Sequence, residues 1–243
     1  MELQLTGERT VPGIPAENYW FRRHEAAYEF LAPQVAGRVV LEVGCGEGYG
    51  TDLLARSARR VVGIDYDALT VAHARAGYPA ARFVRANLAA LPVASGSVDI
   101  VATLQVVEHV WDHAEFVGEC RRVLGPGGRL MMTTPNRLTF SPGLDTPVNP
   151  FHTKEFTAAE LTELVAAHGF AVDAVLGLHA ASRLADLDAR YGSFVGAQLE
   201  TPPERWPDEL LRDVTSVTTS DFSIHERDIE ASLDLLVLAR RLG

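Results

Sequence analysis

Apolar runs alternate with helical patterns along the chain from residue 38 onward. The runs rich in Val, Ile and Leu predict buried strands at 38–43, 60–64, 81–86, 98–104 and 129–134. The stretches between them predict helices at 49–58, 68–77 and 113–124. Parallel strands need helical crossovers, and strands that are apolar throughout are covered on both faces. The pattern therefore predicts a doubly wound, mostly parallel sheet of the α/β class.

The alternation stops after residue 134. Residues 135–157 contain four prolines and no helical or strand period, and an irregular segment of this length in a compact domain usually serves a function. Thr157-x-x-Glu160 is a capping-box pattern that predicts a helix over 158–168, with Gly169 at its end. A sixth strand is predicted at 171–178 and a seventh at 233–239.

These elements predict one Rossmann-like domain over residues 1–243, with a seven-stranded sheet. We divide it into an N-terminal helical cover (1–37), a core (38–178), a helical insert or cap (179–231) and a last strand (232–241).

Composition and charge exclude several classes of protein. The 243 residues carry 22 Lys and Arg against 32 Asp and Glu, so the surface should repel nucleic acids and anionic membranes. Ten of the acids lie in 199–234, with only three arginines. Two cysteines make no disulfide framework, and we find neither an apolar run of about 18 residues nor a secretory signal pattern. We expect a cytoplasmic protein without a nucleic-acid or membrane partner.

A glycine-rich segment, EVGCGEGYG at 42–50, follows the first predicted strand and opens the first helix. Glycines at such a place let backbone N–H groups approach a ligand. The spacing departs from the dinucleotide pattern G-x-G-x-x-G, because Tyr49 stands at the third glycine position. Asp65 ends the second strand 21 residues after Gly44, where a carboxylate can accept two ribose hydroxyls. The segment predicts a site for a ribose without a 2′-phosphate.

The segment VLEVGCGEGYGTDLLA resembles the first motif of the class I S-adenosylmethionine-dependent methyltransferases. Four further blocks follow in the expected order: VVGIDYD, RANLAALP, VDIVATLQVVEHV and RRVLGPGGRLMMTTPN. The resemblance covers about residues 38–178 and the final strand, and implies S-adenosylmethionine as methyl donor. It implies contacts to methionine and ribose from Gly44, Cys45 and Gly46, to ribose from Asp65, to adenine from Tyr66, Asn87 and Leu88, and to the sulfonium region from Gln105.

Three residues of this predicted site differ from the family pattern or have more than one possible role. Asn87 stands where the family more often has aspartate. Glu42 either contacts the ligand directly or is a buried acid that orders the loop. Cys45 is predicted to be a small residue that fits the loop rather than a nucleophile, because methyl transfer from a sulfonium needs no covalent enzyme intermediate.

A candidate catalytic and metal-binding cluster follows the fourth strand. In a helix, Gln105, Glu108 and His109 would share one face. Several methyltransferase subfamilies, among them quinone O-methyltransferases and small-RNA methyltransferases, bind a divalent metal through E-x-x-E-H at this place, and Gln105 replaces the first acid. The same subfamilies carry a histidine where His152 stands. Alternatively, Glu108 and His109 only begin a helix that Asp112 caps.

An oxygen nucleophile of high pKa must lose its proton as the methyl group arrives, so a general base or a bound metal should assist. We assign this role to Glu108, His109 and His152, as catalytic residues and as metal ligands. Mg²⁺ suits carboxylate and substrate oxygens, whereas imidazoles favour Mn²⁺ or Zn²⁺. Asp145 and Asn149 are predicted to bind substrate hydroxyls.

Two neighbouring groups of residues complete the candidate site. Lys154 and Glu155 are predicted to be solvated. The segment ENYWFRRH at 17–24 suits a helix that folds over the cofactor, with Arg22 or Arg23 on the methionine carboxylate and Tyr19 on the substrate. In the alternative interpretation, this helix only packs its aromatic side chains on the core.

A narrower resemblance extends over nearly the whole chain. The segments QVVEHVWD, TPNRLTFSPGLDTPVNPFHT and LDARYGSFVGAQ are similar to those of mycobacterial sugar methyltransferases of methylmannose polysaccharide biosynthesis. These enzymes methylate the anomeric oxygen of a short, 3-O-methylated mannoside. The resemblance implies a sugar 1-O-methyltransferase assisted by Mg²⁺, with a small sugar as acceptor. A quinone or phenol O-methyltransferase and a non-catalytic S-adenosylmethionine-binding subunit stay open as alternatives, as do a monomer and a homodimer.

Overall fold

The computed structural model describes residues 9–243, so the first eight residues of the predicted N-terminal cover lie outside the described part. Eight strands form one sheet in the order β3-β2-β1-β4-β5-β8-β6-β7. The strands are β1 (Val39–Val43), β2 (Arg60–Asp65), β3 (Arg82–Arg85), β4 (Val98–Leu104), β5 (Leu124–Pro135), β6 (Phe170–Ala180), β7 (Phe222–His225) and β8 (Asp234–Arg241). The first five pair in parallel, β8 is antiparallel to β5 and β6, and β7 is antiparallel to β6.

The helices cover both faces of this sheet. They are α1 (Asn18–Leu31), α2 (Tyr49–Ala55), α3 (Ala68–Gly77), α4 (His113–Val123), α5 (Arg137–Phe140), α6 (Ala158–Ala167), α7 (Ser182–Tyr191), α8 (Phe194–Glu200) and α9 (Asp208–Thr215). Within residues 9–243, no helix combines the length and apolar character that crossing a membrane would require.

Two buried clusters lie on opposite faces of the sheet, because successive side chains of a strand point to opposite sides. Val40 contributes to the cluster that α1, α2 and α9 cover. Its neighbour Leu41 contributes to the cluster that includes Phe116 of α4 and Leu161 of α6. Both faces of the central strands are therefore buried, which explains why these strands are almost continuously apolar.

The predicted doubly wound, Rossmann-like α/β architecture is confirmed, with two differences in the sheet. The sheet has eight strands instead of seven, because β7 lies inside the insert that we predicted to be helical. β7 has four residues and pairs only with β6, and a strand this short shows no period that sequence could reveal. β5 begins at Leu124, so it includes the glycine- and proline-rich residues 125–128 that precede the predicted start of this strand at 129.

The predicted helix caps are confirmed. The Glu160 N–H donates to the Thr157 hydroxyl at 3.3 Å, and the Thr157 N–H donates to the Glu160 carboxylate at 2.8 Å. Gly169 follows α6 with φ +81°, a left-handed conformation that suits glycine. Asp112 caps α4 by accepting from the Glu115 N–H at 2.9 Å. Apart from Pro135 at the end of β5, the four-residue α5 and an isolated bridge between Asn136 and Phe156, residues 135–157 are irregular, as predicted.

A buried ion pair joins α1 to β8. The Arg23 guanidinium donates to both carboxylate oxygens of Asp234, at 2.7 and 2.6 Å, and to the Leu233 carbonyl at 2.8 Å. The two side chains are 3% and 4% exposed. Burial alone would lower the pKa of Arg23, but the Asp234 carboxylate raises it above its usual value. The Arg23 guanidinium therefore stays charged inside the protein.

Candidate functional site

A cavity of about 1100 Å³ lies at the carboxyl edge of the parallel strands, beside the glycine loop and residues 150–153. In the strand order, β2 and β4 flank β1 on opposite sides, which makes this the point where a doubly wound sheet reverses direction. Ligands of such sheets bind at this place. The sheet topology therefore places the glycine loop, the end of β2 and the segment after β4 around one space.

The glycine loop holds its shape through backbone hydrogen bonds. The Gly44 N–H donates to the Ile64 carbonyl at 2.7 Å, and the Gly46 N–H donates to the Asp65 carboxylate at 2.9 Å. Gly44 has φ +81°, and a Cβ at this position would overlap the side chain of Val106. Only glycine fits there without displacing a neighbour. Gly44 and Gly46 both line the cavity.

Asp65 lies at the cavity wall with its carboxylate held by two backbone groups. Besides Gly46, the Asp67 N–H donates to it, at 3.0 Å. Burial raises the pKa of Asp65, and these two hydrogen bonds partly offset that effect. An ionised carboxyl group has about four acceptor positions, so two stay open for ribose hydroxyls. The predicted adenine contacts, Tyr66, Asn87 and Leu88, line the same cavity.

Gln105 lines the cavity from an unusual backbone conformation. Its φ is +57°, which is uncommon for a residue other than glycine, and its side-chain amide donates to the Thr133 hydroxyl at 3.2 Å. The predicted helical face shared by Gln105, Glu108 and His109 is wrong, because only Val107–His109 form a helical turn. Backbone strain of this kind concentrates at functional sites, and Gln105 still faces the cavity that the resemblance implied.

Glu42 and Cys45 lie behind the glycine loop instead of on the cavity wall. The Glu42 carboxyl group is completely buried and accepts from the Tyr28 hydroxyl at 2.6 Å and from the Thr51 hydroxyl. Burial raises the pKa of Glu42 to about 7. The structure thus favours the interpretation in which Glu42 orders the loop. The Cys45 side chain packs against Phe83, and burial raises the pKa of its thiol, as expected of a small packing residue.

The N-terminal helix does not supply the predicted cavity contacts. Arg22 pairs with Glu25 of its own helix, and Arg23 is bound to Asp234. Tyr19 is buried in the core, where its ring contacts Phe194 and Phe222. None of the three predicted residues lines the cavity. The alternative, a helix that packs its aromatic side chains on the core, describes the structure.

A different arginine lines the cavity. Arg9 stands before the first helix, lines the cavity together with Gly44 and Asp65, and lies 3.7 Å from the Asp67 carboxylate. No sequence pattern indicated this residue, because it belongs to no helix or strand whose period would place it. The structure therefore places an arginine at the cavity that is neither Arg22 nor Arg23.

The structure brings Glu108, His109 and His152 together. Each residue offers one ligand atom, and these three atoms lie within 4.8 Å of one another. Glu108 is 1% exposed and accepts from the Thr134 hydroxyl at 2.9 Å. Burial raises the pKa of Glu108 to about 8. Thr153 donates from its hydroxyl to the Val110 carbonyl at 2.6 Å, which holds the loop carrying His152 against the turn carrying His109.

Glu155 was predicted to be solvated, and this prediction is wrong. Its side chain is buried, with one carboxylate oxygen 2.9 Å from Nδ1 of His152. The other oxygen is also buried and has no hydrogen-bond partner among the described residues. Burial lowers the pKa of His152, and the Glu155 hydrogen bond opposes this effect. A neutral His152 that donates from Nδ1 to Glu155 keeps its lone pair on Nε2.

The residues of this cluster fit a divalent metal. Two imidazoles and one carboxylate are a common donor set for such ions. Histidine ligands usually donate their second ring N–H to a carboxylate or a backbone carbonyl. Here Nδ1 of His152 meets Glu155, and Nδ1 of His109 lies 3.0 Å from the Phe151 carbonyl. Glu108 and Glu155 are both buried acids, and neither forms an ion pair with a lysine or arginine of residues 9–243.

The two predicted substrate residues of the irregular segment lie in different surroundings. Asp145 is exposed and does not line the cavity. Asn149 lies beside the cluster, with its side-chain nitrogen 3.1 Å from Nε2 of His152. Asn149 therefore lies next to the cluster without lining the cavity, and Asp145 contacts neither.

Comparison with known proteins identifies the family. The family model described as "Methyltransferase domain" matches residues 41–132. A Mycolicibacterium smegmatis protein named as a probable S-adenosylmethionine-dependent methyltransferase is 56% identical over 98% of this chain and 95% of its own length. A Mycobacterium tuberculosis protein of the same description is 54% identical over 98% of this chain and 90% of its own length.

Solved structures show the same fold at low sequence identity. A geranyl diphosphate C-methyltransferase from Streptomyces coelicolor, solved with Mg²⁺, superposes with a TM-score of 0.61 and 18% identity, over 90% of this chain and 77% of that one. An S-adenosylmethionine-dependent methyltransferase from Mesorhizobium loti superposes with a TM-score of 0.58 and 21% identity, over 92% of this chain and 100% of that one. Together with the glycine loop and Asp65, these relationships show that the chain belongs to the class I S-adenosylmethionine-dependent methyltransferases and is an enzyme of that family.

Proposed function

We propose that this enzyme transfers the methyl group to a sugar hydroxyl, namely the anomeric 1-OH of a short 3-O-methylated mannoside. The observation that carries the proposal is the Glu108, His109 and His152 cluster, two of whose members line the cavity shared with the glycine loop. A hydroxyl needs help in losing its proton, and this cluster can supply it. The particular sugar follows from the resemblance of the sequence to mycobacterial sugar methyltransferases.

The donor end of the cavity fixes the methyl group. Backbone N–H groups of Gly44 and Gly46 define the loop, Asp65 accepts the ribose hydroxyls, and Arg9 neutralises the methionine carboxylate. The sugar oxygen then attacks the methyl carbon in line with the C–S bond. A C–O bond forms as the C–S bond breaks, and the electron pair stays on sulfur, which leaves S-adenosylhomocysteine. Holding the two reactants in this alignment supplies much of the rate enhancement.

The acceptor end of the cavity removes the proton. Glu108, His109 and His152 would hold a divalent metal there, and such an ion lowers the pKa of a nearby hydroxyl. The resemblance implies Mg²⁺, whereas two imidazoles favour Mn²⁺ or Zn²⁺. Without a metal, Nε2 of His152 accepts the hydroxyl proton, with Glu155 stabilising the imidazolium. Removal of metal distinguishes these two routes.

The deciding experiment is a turnover screen with mannose, 3-O-methylmannose and their short oligosaccharides, before and after EDTA treatment. Mg²⁺, Mn²⁺ and Zn²⁺ are added back separately, and NMR identifies the methylated oxygen. We expect methylation at the 1-OH of a 3-O-methylated acceptor, with loss of activity in EDTA. Methylation at another oxygen, or of a phenol alone, contradicts the proposal. Full activity in EDTA leaves the His152 base as the route.

Two variants test the cluster directly. We expect His109→Ala and His152→Ala to lose turnover while S-adenosylmethionine binding, measured by calorimetry, stays unchanged. His168→Ala is the matched control, because its ring bonds to the Leu164 carbonyl at the end of α6. If both cluster variants keep full turnover, the base and metal assignments are wrong together.

A quinone or phenol acceptor is the second candidate. A ubiquinone biosynthesis O-methyltransferase from Paracidovorax citrulli is 42% identical over 113 residues, which is 44% of this chain and 47% of that protein. The exposed aromatic residues Trp111 and Phe151 at the cavity also suit an aromatic acceptor. A catechol included in the turnover screen tests this candidate.

A further inference from the structure

Trp111 lines the cavity although its side chain is 89% exposed to solvent. The other two tryptophans are half-buried and contact other residues of the fold. The Trp20 ring contacts Tyr19 at 5.2 Å between centroids, and the Trp206 indole N–H donates to the Thr201 carbonyl at 2.9 Å. Large aromatic side chains gain most from leaving water. An indole that stays exposed at the rim of a ligand cavity is therefore available to a ligand.

The backbone holds Trp111 in a fixed place. The preceding carbonyl, that of Val110, accepts from the Thr153 hydroxyl at 2.6 Å, and the following residue, Asp112, caps α4. Phe151, which is 41% exposed, approaches from the other segment, and its carbonyl lies 3.0 Å from His109. Two exposed aromatic rings thus stand on the two chain segments that also carry the histidines of the cluster.

We propose that Trp111, with Phe151 beside it, is the subsite that stacks on the apolar face of an acceptor sugar ring. This inference rests on the proposed sugar methyltransferase function and names residues that bind the acceptor. His109, Trp111 and His152 line the same cavity. A sugar ring lying on the indole would therefore occupy the space that the two histidines of the cluster also face.

The surroundings of the indole favour a sugar over other occupants. Pyranose rings have C–H faces that pack on aromatic rings and hydroxyl edges that need polar partners. The cavity offers both, because Arg85, Asp112 and Thr153 line it together with Trp111 and Phe151. A protein partner would cover a broad convex patch, whereas these aromatic residues line a concave space continuous with the donor site.

Three substitutions test the stacking contact. Trp111→Ala removes the ring, Trp111→Leu keeps apolar bulk without an aromatic face, and Trp111→Phe keeps a smaller face. Leu199→Ala is the control for loss of an exposed apolar side chain, since Leu199 is 64% exposed and lies away from the cavity. Each protein is assayed for KM and kcat with 3-O-methylmannose and for S-adenosylmethionine binding by calorimetry. Tryptophan fluorescence of the wild type and of Trp111→Phe is titrated with the same sugar.

We expect Trp111→Ala and Trp111→Leu to raise the acceptor KM about tenfold, with kcat and donor binding nearly unchanged. Trp111→Phe should stay within about threefold of the wild type. The sugar should shift the wild-type fluorescence and leave that of Trp111→Phe unaltered. Because the side chain is exposed, all Tm values should stay within about 2 °C.

The outcomes separate this inference from the function on which it rests. If the wild type methylates the sugar and Trp111→Ala or Trp111→Leu has the wild-type KM, the stacking subsite is wrong and the sugar methyltransferase function stands. If the wild type neither methylates nor binds any sugar, both proposals are overturned. A variant that loses turnover of a catechol and keeps that of the sugar also overturns the subsite.

Discussion

Removing the charge of Arg23 should destabilise the protein strongly without weakening donor binding. In Arg23→Met, the Asp234 carboxylate would stay buried without the two hydrogen bonds of 2.7 and 2.6 Å that it now accepts. Breaking one side of a buried ion pair costs about 3–5 kcal/mol. For a chain of this size each kcal/mol lowers Tm by about 2–4 °C. We therefore expect Tm to fall by about 6–20 °C.

Thermal and urea unfolding measure this loss, and two further variants interpret it. Arg22→Met is the matched control, because Arg22 pairs with Glu25 at the surface of α1, and such pairs contribute at most about 1 kcal/mol. The double variant Arg23→Met/Asp234→Leu should regain much of the loss, because it leaves no unpaired buried charge. Below its Tm, Arg23→Met should bind S-adenosylmethionine with wild-type affinity. A wild-type Tm combined with weakened donor binding would refute the structural role and restore Arg23 as a cofactor ligand.

Three further predictions follow from the site and the core. Gly44→Ala should weaken S-adenosylmethionine binding, measured by calorimetry, at least tenfold, because the φ of Gly44 is +81° and the new Cβ would overlap the Val106 side chain. Gly37→Ala is the control, because Gly37 has a similar φ of +70° but open space around it, and this variant should bind S-adenosylmethionine normally. Glu155→Gln should lower kcat about 10- to 100-fold, because the Glu155 carboxylate orients His152. The exposed control Glu163→Gln should keep the wild-type kcat. Equal activities of the two variants would exclude this role of Glu155. Burial lowers the pKa of His24 from 6.5 to about 4. As pH falls, the unfolded chain therefore takes up a proton at this histidine before the folded protein does. The free energy of unfolding should therefore be about 3 kcal/mol lower at pH 4 than above pH 6.5. Urea unfolding of His24→Phe over the same pH range should show a smaller decline.

The sequence predicted those parts of the structure that depend on local pattern or on strand topology. β1 and β4 are recognisable because both of their faces are buried, and the capping box of α6 is a local arrangement. Glu108, His109 and His152 follow different strands of one sheet, and the carboxyl ends of parallel strands meet at one edge. Their proximity could therefore be expected before the structure was known.

The errors concern side chains whose partners lie far away in the sequence. Nothing local distinguishes an arginine bound to Asp234, 211 residues later, from one that binds a ligand. Glu155 follows a lysine and looks solvated, yet the packing of the loop on the turn at Val107–His109 buries it. Arg9 stands outside any periodic element, so only the folded arrangement shows that it faces the cavity. The sequence located the helix that carries Arg23 correctly, but it did not reveal that the Arg23 guanidinium pairs with Asp234.

The position of β8 has a consequence for the order of folding. This strand follows β6 and β7 in the chain but lies between β5 and β6 in the sheet. Until it inserts, the inner edges of β5 and β6 have no hydrogen-bond partner and present apolar side chains, which favours aggregation of the incomplete sheet. Insertion also closes a loop of more than two hundred residues between α1 and β8, and such distant contacts slow folding. We therefore expect refolding to be slow and limited by the insertion of β8, so that stabilising the glycine loop alone should accelerate it little.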